Sequence, residues 1–261
     1  MSDNELDLSY FEIQAYVGTT KHLGGFATTQ RLVELCKIDG DDLVLEVGCG
    51  VGATACYLAQ TYGCRIMGVD LRQSMVERSR ERAEREGVTD LVEFKVADAI
   101  DLPFDDHRFD VLFCESVLTF VAAKQAALDE FVRVVRPDGR VGLNEQFWMQ
   151  PPTEEMVQFA RHMWDIAAEL PGLNRWTEML QRAGLRDVIV ERYTYHARRE
   201  ATQIKRYALI DMVRMFVRTL RLYVTNPDFR AYMANRYKPP KDFFDYLGYA
   251  LFVSQSPDST D

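Results

Sequence analysis

The chain has 261 residues, of which 47% are hydrophobic and 27% are charged. This composition is typical of a folded domain with a sizeable core and an ordinary polar surface. The net charge of −9 disfavours nucleic acid as a partner, because neutralising phosphates requires a basic face. The sequence contains neither a signal-peptide pattern nor an apolar run of about 18 residues, so we expect a cytoplasmic location and no membrane span.

Short apolar strands and helical patterns alternate through the first 145 residues. The predicted strands are 43–47, 65–69, 92–96, 109–113 and 140–144, and the predicted helices are 26–37, 52–61, 73–86 and 121–135. Repeated strand–helix–strand units predict a parallel sheet that is covered on both faces. Ligands of such sheets bind outside the carboxyl ends of the strands. The five cysteines form no Cys-x-x-Cys pair, so we expect reduced thiols and no metal site.

The end of the first predicted strand carries the most informative motif of the chain. Glu46 is followed by glycines at positions 48, 50 and 52, and a helical stretch begins directly afterwards. Glycine allows a tight turn and lets main-chain N–H groups approach a ligand. The helix adds the positive end of its dipole. This pattern predicts a loop that binds a nucleotide-type cofactor.

Acidic residues stand at the ends of the next three strands. Asp70 lies 22 residues beyond Gly48, where a carboxylate can accept hydrogen bonds from both ribose hydroxyls. Asp98 and Ala99 follow the third strand, where an acid and a backbone N–H suit the edge of a purine. Glu115 ends the fourth strand, close to the reacting end of a ligand that lies across the strand tips. Together they predict a site for a nucleoside with two free hydroxyls and a positive or neutral tail.

These motifs resemble those of class I S-adenosylmethionine-dependent methyltransferases over residues 40–145. The segments that carry the resemblance are Glu46–Gly52 for motif I, Val69-Asp70 for the ribose acid, Asp98-Ala99 with Leu102-Pro103-Phe104 for the adenine contact, Phe109–Leu112 for motif IV, and Arg136–Gly139 for the turn after the helix. The turn usually reads Pro-Gly-Gly, and here Asp138 replaces one glycine. Within the family, the chain is most similar to the small-molecule branch that includes the ubiquinone and menaquinone methyltransferases.

The resemblance implies an α/β fold, a three-layer Rossmann-like arrangement with a seven-stranded sheet whose last strand is antiparallel. It implies S-adenosylmethionine as the methyl donor and S-adenosylhomocysteine as the product, with no metal. The residues that the resemblance and the strand ends assign to the cofactor are Tyr16, His22, Gly24, Glu46, Gly48, Cys49, Gly50, Asp70, Leu71, Met75, Asp98, Ala99 and Glu115.

The segment before the first strand is expected to cover the cofactor, since related enzymes fold such a segment over its methionine end. Tyr16 and His22 are candidates for contacts there, and a capping or packing role is the alternative for each. Glu145, just past the fifth strand, is a candidate for the acceptor side or an ordinary polar loop. No residue is identified as a catalytic base, because methyl transfer needs one only when the acceptor must lose a proton.

A dinucleotide such as NAD is the competing cofactor. The dinucleotide motif Gly-x-Gly-x-x-Gly requires a third glycine where this chain has Ala53. Glu46 would also lie near the pyrophosphate, an unfavourable contact of like charges, whereas an ammonium or sulfonium group favours it. The sequence therefore favours S-adenosylmethionine.

The last third of the chain departs from the minimal fold. Residues 151–183 are predicted to be helical, strands are expected at 187–194 and 246–253, and about fifty residues intervene between those strands. An insertion of this length predicts a helical lid. We therefore divide the chain into an N-terminal cover (1–39), a cofactor-binding core (40–195), a lid (196–240) and a last strand with its tail (241–261).

The predicted lid has an apolar face and a basic face. Between Arg198 and Val224 there are seven basic and two acidic residues. One interpretation is a lid whose apolar face packs over an acceptor pocket; the other is a basic amphipathic helix, near 204–224, that contacts an anionic membrane. The apolar face consists of Ile204, Ala208, Met212, Met215, Phe216, Leu220 and Tyr223.

The sequence thus predicts methyl transfer to a small, partly apolar molecule. The alternatives are a peripheral-membrane methyltransferase with a lipid or quinone-like acceptor, and a non-catalytic protein that binds S-adenosylmethionine. The sequence does not predict the oligomeric state.

Overall fold

The computed structural model describes residues 9–164, 169–234 and 238–258. Seven strands form one sheet in the order β3-β2-β1-β4-β5-β7-β6, with β7 antiparallel to both of its neighbours. This confirms the predicted α/β fold. The strands are β1 Leu43–Val47, β2 Arg65–Asp70, β3 Val92–Val96, β4 Phe109–Glu115, β5 Val135–Trp148, β6 Arg186–Thr194 and β7 Leu247–Gln255.

Helices cover the sheet on both faces. They are α1 Tyr10–Val17, α2 Gly25–Cys36, α3 Ala53–Tyr62, α4 Gln73–Glu86, α5 Lys124–Val134, α6 Glu154–Trp164, α7 Leu173–Arg182, α8 Ala197–Glu200, α9 Leu209–Thr225, α10 Pro227–Ala234 and α11 Phe243–Tyr246. The described residues also contain two 3₁₀ turns, Leu118–Phe120 and Ala201–Arg206. Helix α1 was not predicted from the sequence.

Side chains of β1 alternate between two apolar layers. Leu45 and Val47 pack in the cluster formed with α5 and α7, whereas Val44 packs in the cluster formed with α2, α3 and α4. Such alternation follows from the two-residue period of a strand. Strand β1 lies between β2 and β4, so the strand order reverses there. In sheets of this kind the ligand crevice opens at that reversal.

The turn between α5 and β5 explains a difference in strand length. Strand β5 begins at Val135 rather than at residue 140, and its pairing with β4 shifts register between Phe109 and Val111. Asp138 takes φ of +59°, the left-handed region where glycine is usual and aspartate is tolerated. The replacement of glycine by Asp138 is therefore accommodated without loss of the turn.

The insertion between β6 and β7 runs across the same edge of the sheet as the N-terminal residues. Leu222 of α9 and Phe229 of α10 pack on Val17 of α1. Within the three described ranges, no helix combines the length and the hydropathy needed to cross a bilayer. All five cysteines are buried and free, as expected.

Candidate functional site

The glycine loop after β1 has the predicted geometry. Gly48, Gly50 and Gly52 have φ of +74°, +53° and +72°, the left-handed region that favours glycine, and a Cβ at Gly48 would collide with Val117. The N–H groups of Gly48 and Cys49 donate to Val69 O at 2.7 and 2.9 Å, so the loop is fixed to the end of β2. A Cβ at Gly50 would collide with the methyl group of Thr20. The N-terminal segment therefore lies directly over this loop.

Asp70, at the end of β2, is joined to the same loop. Its Oδ2 accepts from Gly50 N–H and its Oδ1 from Arg72 N–H, both at 3.0 Å. Burial raises the pKa of Asp70, and these two N–H donors oppose that shift. Each oxygen keeps a lone pair for a further donor. The carboxylate is thus fixed in orientation and still able to accept two hydroxyls.

Apolar surface lies beside Asp70 along the strand ends. The side chain of Leu71 is 64% exposed, which is unusual for leucine after a buried strand. Ala99 is buried, and Asp98 accepts from Ile100 N–H at 3.2 Å. Met75 packs under the loop with Ala15 and Val51. Leu71 therefore offers an exposed apolar side chain next to the fixed carboxylate, while Met75 and Ala99 are buried.

A buried polar cluster, defined as His22, Thr29, Glu115, Asn144 and Arg206, lies at the ends of β4 and β5. His22 Nδ1 is 2.7 Å from Glu115 Oε2, and Thr29 Oγ1 is 3.1 Å from both oxygens of that carboxylate. Asn144 Nδ2 is 3.4 Å from Glu115 Oε1. All five side chains are buried. The N-terminal residues, the core and the lid therefore meet in one polar contact.

The electrostatics of this cluster favour a neutral histidine beside an ionised acid. Burial lowers the pKa of His22, and the positive charge of Arg206 lowers it further, although Glu115 opposes both. Burial alone would raise the pKa of Glu115, but His22 and Arg206 outweigh burial, and the net shift is downward. Because a carboxylate only accepts, the neutral ring donates from Nδ1 to Glu115. Its Nε2 then remains an acceptor.

Glu46 lies on the same side of the sheet and is 2% exposed. It accepts from Ala55 N–H at the start of α3, while its Oε2 has no hydrogen-bond partner. Burial raises the pKa of Glu46 well above its usual value, and the charge of Glu115 adds to the effect. An unpaired buried carboxylate oxygen costs free energy. A cationic ligand group would remove that cost.

The lid is attached to the N-terminal segment above the loop. Tyr207 Oη accepts from Thr20 N–H at 2.9 Å and donates to Thr20 O at 3.1 Å. Gln203 Nε2 also donates to Thr20 O, and Gly24 N–H donates to Glu200 at 3.0 Å. The residue that covers Gly50 is therefore itself held by the lid.

Two site candidates from the sequence analysis, Tyr16 and Glu145, make structural contacts within the protein. Tyr16 packs in the apolar cluster of Val17, Leu222 and Phe229, and its contact with a cofactor stays a prediction. Glu145 does not face an acceptor. It is fully buried and accepts the N–H groups of Val117, Leu118 and Thr119 at 2.7 to 3.0 Å. The expectation of an acceptor-side role for Glu145 was wrong, because the unpaired N–H groups of this 3₁₀ turn capture the carboxylate.

Sequence reasoning missed Thr20, Thr29, Asn144, Tyr207 and Arg206. Arg206 was assigned to a solvated face of the lid, but it is 9% exposed and reaches the strand ends. Its local spacing contains no signal for this contact, since its partners are up to 184 positions away. Thr29 was missed for the same reason, since it lies in a helix with an ordinary amphipathic pattern.

A cavity of about 980 Å³ opens at the carboxyl end of β5 and beside β6. Its walls are mostly apolar, and two arginines and one glutamate are among the lining residues. The residues that line it include Phe147, Trp148, Leu170, Leu173, Arg161 and Arg192. A cavity of this size and mixed character suits a small molecule. Among the residues in the described ranges, no group of three or more His, Cys, Asp or Glu side chains is arranged to hold a metal ion.

The apolar face of α9 does not pack over this cavity. Phe216 is 68% exposed, and Leu209, Val213, Val217 and Leu220 are exposed along the same stripe. Of the face predicted from the sequence, Phe216, Leu220 and Tyr223 are exposed and Met215 packs near Val17. The packing of this face over an acceptor pocket stays a prediction. The buried side of α9 instead carries Asp211, which pairs with Arg82 at 3.2 Å and Arg85 at 3.0 Å.

Comparisons with known proteins agree with this geometry. Residues 45–143 match the methyltransferase-domain family. Phosphoethanolamine N-methyltransferase 1 of Triticum aestivum is 31% identical over 178 residues, which are 68% of this chain and 34% of that protein. The 27-O-demethylrifamycin SV methyltransferase of Amycolatopsis mediterranei is 27% identical over 88% of this chain and 83% of its own length. The chain thus spans about a third of the Triticum protein.

Solved structures give the same fold. Haemonchus contortus phosphoethanolamine N-methyltransferase 2, in complex with phosphomonomethylethanolamine and S-adenosylhomocysteine, superposes with a TM-score of 0.67. It is 17% identical, and the match covers 95% of this chain and 57% of that one. The sheet order, the glycine loop and these likenesses agree with one another. Residues 45–143 belong to the methyltransferase-domain family, and the chain has the fold of the class I S-adenosylmethionine-dependent methyltransferases.

Proposed function

We propose that this protein transfers a methyl group from S-adenosylmethionine to a small, partly apolar molecule and releases S-adenosylhomocysteine. The observation that carries the proposal is the junction of the glycine loop with Asp70, in which Gly50 N–H donates to Oδ2 at 3.0 Å. A glycine loop with no room for side chains at Gly48 and Gly50, joined to an oriented acid at the end of the next strand, suits a nucleoside with free ribose hydroxyls.

The residues present fit the nucleoside half of this cofactor. Asp70 would accept from the ribose hydroxyls, and Leu71 would lie against one face of the adenine ring, which accounts for its exposure. Asp98 and Ala99 would meet the polar edge of the ring. Met75 supports the loop from below, so we assign it a packing role within the cofactor site.

The methionine half fits the residues around Glu46. The unpaired Oε2 of Glu46 would receive the ammonium group, and the backbone of Gly48, Cys49 and Gly50 would follow the chain of the amino acid. His22, Glu115 and Gly24 would close this end together with the N-terminal cover. Tyr16 would act through the packing of that cover.

When bound, S-adenosylmethionine supplies a methyl group on a positively charged sulfur, so the protein has mainly to orient the reactants and exclude water. Thr20, held by Tyr207 and Gln203 over the loop, would exclude water. Burial raises the pKa of the Cys49 and Cys114 thiols well above their usual value, which disfavours a cysteine nucleophile at neutral pH. These features favour direct transfer.

The acceptor is proposed from the chain's own cavity, because the two relatives are named for chemically different acceptors. The cavity walls favour an acceptor that is apolar in part, because they include Phe147, Trp148, Leu170 and Leu173. Arg161 and Arg192, which also line the cavity, favour a polar or anionic group at one end of the acceptor. A cytoplasmic location stays a prediction.

Methyl-labelled S-adenosylmethionine, incubated with the protein and an extract of the source cells, tests this function. We expect label in the small-molecule or lipid fraction. Label confined to RNA or protein would contradict the proposed acceptor class. Binding of S-adenosylhomocysteine without any transfer would favour a non-catalytic binding protein, and protection from heat by NAD alone would favour an oxidoreductase.

We also propose that α9 contacts an anionic membrane surface, a second role that its exposed stripe favours. The stripe of Leu209, Val213, Phe216, Val217 and Leu220 is bordered on one side by Arg214, Arg218 and Arg221. An apolar stripe beside a row of arginines is typical of helices that lie in a membrane interface. A lipid or quinone-like acceptor would then be methylated at the membrane.

Co-sedimentation with phosphatidylcholine vesicles, with and without phosphatidylserine, tests this contact. We expect binding only to the anionic vesicles, and loss of binding in Phe216→Ser. Absence of binding to either vesicle would overturn the contact. A dimer that Phe216→Ser dissociates would show instead that the stripe joins two copies of the chain.

A further inference from the structure

Arg206 ends the second 3₁₀ turn, inside the lid, yet its guanidinium lies beside the glycine-loop helix. Nη2 donates to Thr54 Oγ1 at 2.8 Å and to Thr29 Oγ1 at 3.1 Å. Thr54 is the second residue of α3, the helix that starts directly after the glycine loop. Arg206 therefore reaches the cofactor end of the sheet from a segment more than 140 residues later in the chain.

The guanidinium is incompletely paired. Nε and Nη1 have no hydrogen-bond partner, and none of the ion pairs within the described ranges includes Arg206. The side chain is 9% exposed, so water does not readily replace these partners. Removing a charged donor from water without an acceptor is costly. Such an arrangement in a folded protein suggests that a ligand supplies the acceptor.

Glu46, the neighbouring acid, lacks a hydrogen-bond donor, just as Arg206 lacks acceptors. Glu46 Oε2 is also buried without a partner, and Glu46 and Arg206 interact electrostatically without forming an ion pair. A buried acid with an open oxygen and a buried cation with open donors thus stand on the same side of the sheet without a hydrogen bond between them. A group that carries both an ammonium and a carboxylate would satisfy both residues at once.

We propose that Arg206 binds the α-carboxylate of the methionine part of S-adenosylmethionine, while Glu46 binds its α-ammonium. This inference rests on the proposed cofactor. The position beside Thr54 favours the cofactor over the acceptor, because Thr54 belongs to the helix of the glycine loop. An anionic acceptor as the ligand of Arg206 is one outcome of the test below.

The assignment makes the lid part of the cofactor site. Tyr207, the next residue, holds Thr20 over Gly50, and Asp211 anchors the start of α9 to Arg82 and Arg85. A carboxylate bound to Arg206 would fix the end of the second 3₁₀ turn, directly before these two anchors. Binding of the cofactor would therefore close the lid and the N-terminal cover together, and release of the product would require both to open.

Titration calorimetry with three ligands tests the proposal. S-adenosylhomocysteine has both charged groups, its decarboxylated analogue keeps only the ammonium, and 5′-methylthioadenosine has neither. For the unmodified protein we expect the decarboxylated analogue to bind about 10- to 100-fold more weakly than S-adenosylhomocysteine. Equal affinities of these two ligands would overturn the proposal without the need for any variant.

The variant Arg206→Gln should weaken S-adenosylhomocysteine by a similar factor and leave the decarboxylated analogue and 5′-methylthioadenosine within about twofold. Arg206→Lys, which keeps the charge, should lose less. Arg198→Gln is the matched control, since Arg198 is an exposed arginine of the same segment. Equal weakening of all three ligands would show a purely structural role.

Unchanged binding of S-adenosylhomocysteine by Arg206→Gln, with a raised KM for the acceptor, would assign Arg206 to the acceptor and overturn the proposal. If the unmodified protein bound none of the three ligands, the proposed cofactor itself would be wrong. The failure of this inference is therefore distinguishable from the failure of the proposed function.

Discussion

The sheet core and the lid bury opposite kinds of side chain. The core around β1 and β4 buries apolar residues on both faces and opens polar groups only at the strand ends. The lid directs Arg206 and Asp211 inward and leaves Phe216 exposed. The core is thus stabilised mainly by apolar burial, whereas the lid is attached by hydrogen bonds and ion pairs in addition to the apolar contacts of Leu222 and Phe229. We expect the core to be rigid and the lid to depend on charge and ligand.

Matched phenylalanines give the largest expected difference between the two regions. Phe113 in β4 is fully buried and Phe216 in α9 is 68% exposed. Phe113→Ala should lower the free energy of unfolding by about 3–5 kcal/mol, because it leaves a cavity. Phe216→Ala should change it by less than about 0.5 kcal/mol. Urea unfolding followed by circular dichroism measures both free energies of unfolding. Similar losses of stability in the two variants would contradict the difference between the core and the lid.

Asp211 tests the attachment of the lid. Asp211→Asn removes the charge that pairs with Arg82 and Arg85, and we expect about 2–3 kcal/mol less stability for local opening of α9. Hydrogen exchange of the α9 amides measures this, while amides of β1 should keep their protection. Asp228→Asn, at an exposed position of α10, is the control. Faster exchange throughout the sheet would show that the lid is not a separate unit.

Asp70 tests the core side of the cofactor site. Asp70→Ala should weaken S-adenosylhomocysteine by about 1.5–3 kcal/mol, the value of charge-assisted hydrogen bonds. Titration calorimetry measures this loss, and the melting temperature without ligand serves as the control for folding. An unchanged affinity would mean that the ribose lies elsewhere.

The smallest expected effect is a pH dependence that belongs to Glu46. Burial raises the pKa of this acid well above its usual value, so below that raised pKa the free protein binds a proton that an ammonium ligand must displace. Affinity for S-adenosylhomocysteine should therefore fall as pH is lowered below the raised pKa, by at most about tenfold per pH unit. Glu46→Gln should remove this slope, and an identical slope in that variant would assign it to another group.

The elements of the core could be predicted because their signals are local. Strands 43–47 and 92–96 and helix 73–86 have the predicted bounds, since apolar alternation and the terminal Gly87 fix them within the segment itself. The three acids at the strand ends are identifiable for the same reason. Asp70 and Glu115 end their strands and Asp98 lies two residues after its strand, and parallel strands bring their ends to one edge.

The missing parts depend on contacts that are distant in the chain. Helix α1 is short and has only a weak apolar pattern, and it is stabilised by Ser9 at its start and by its packing on α4 and α9. Arg206 has the local pattern of a solvated arginine, but the threonines and acids that surround it come from four other parts of the chain. The periodicity of a single segment does not predict contacts between residues that are distant in the chain.

Titration of the unmodified protein with S-adenosylhomocysteine, alongside NAD, is the most direct test of the central claim. The account predicts saturable binding of one S-adenosylhomocysteine per chain and no measurable binding of NAD. It also predicts that the bound ligand slows hydrogen exchange in residues 19–22 and 201–207 together, because the cover and the lid close on the same loop. Binding of NAD instead, or no protection of either segment by bound S-adenosylhomocysteine, would contradict it.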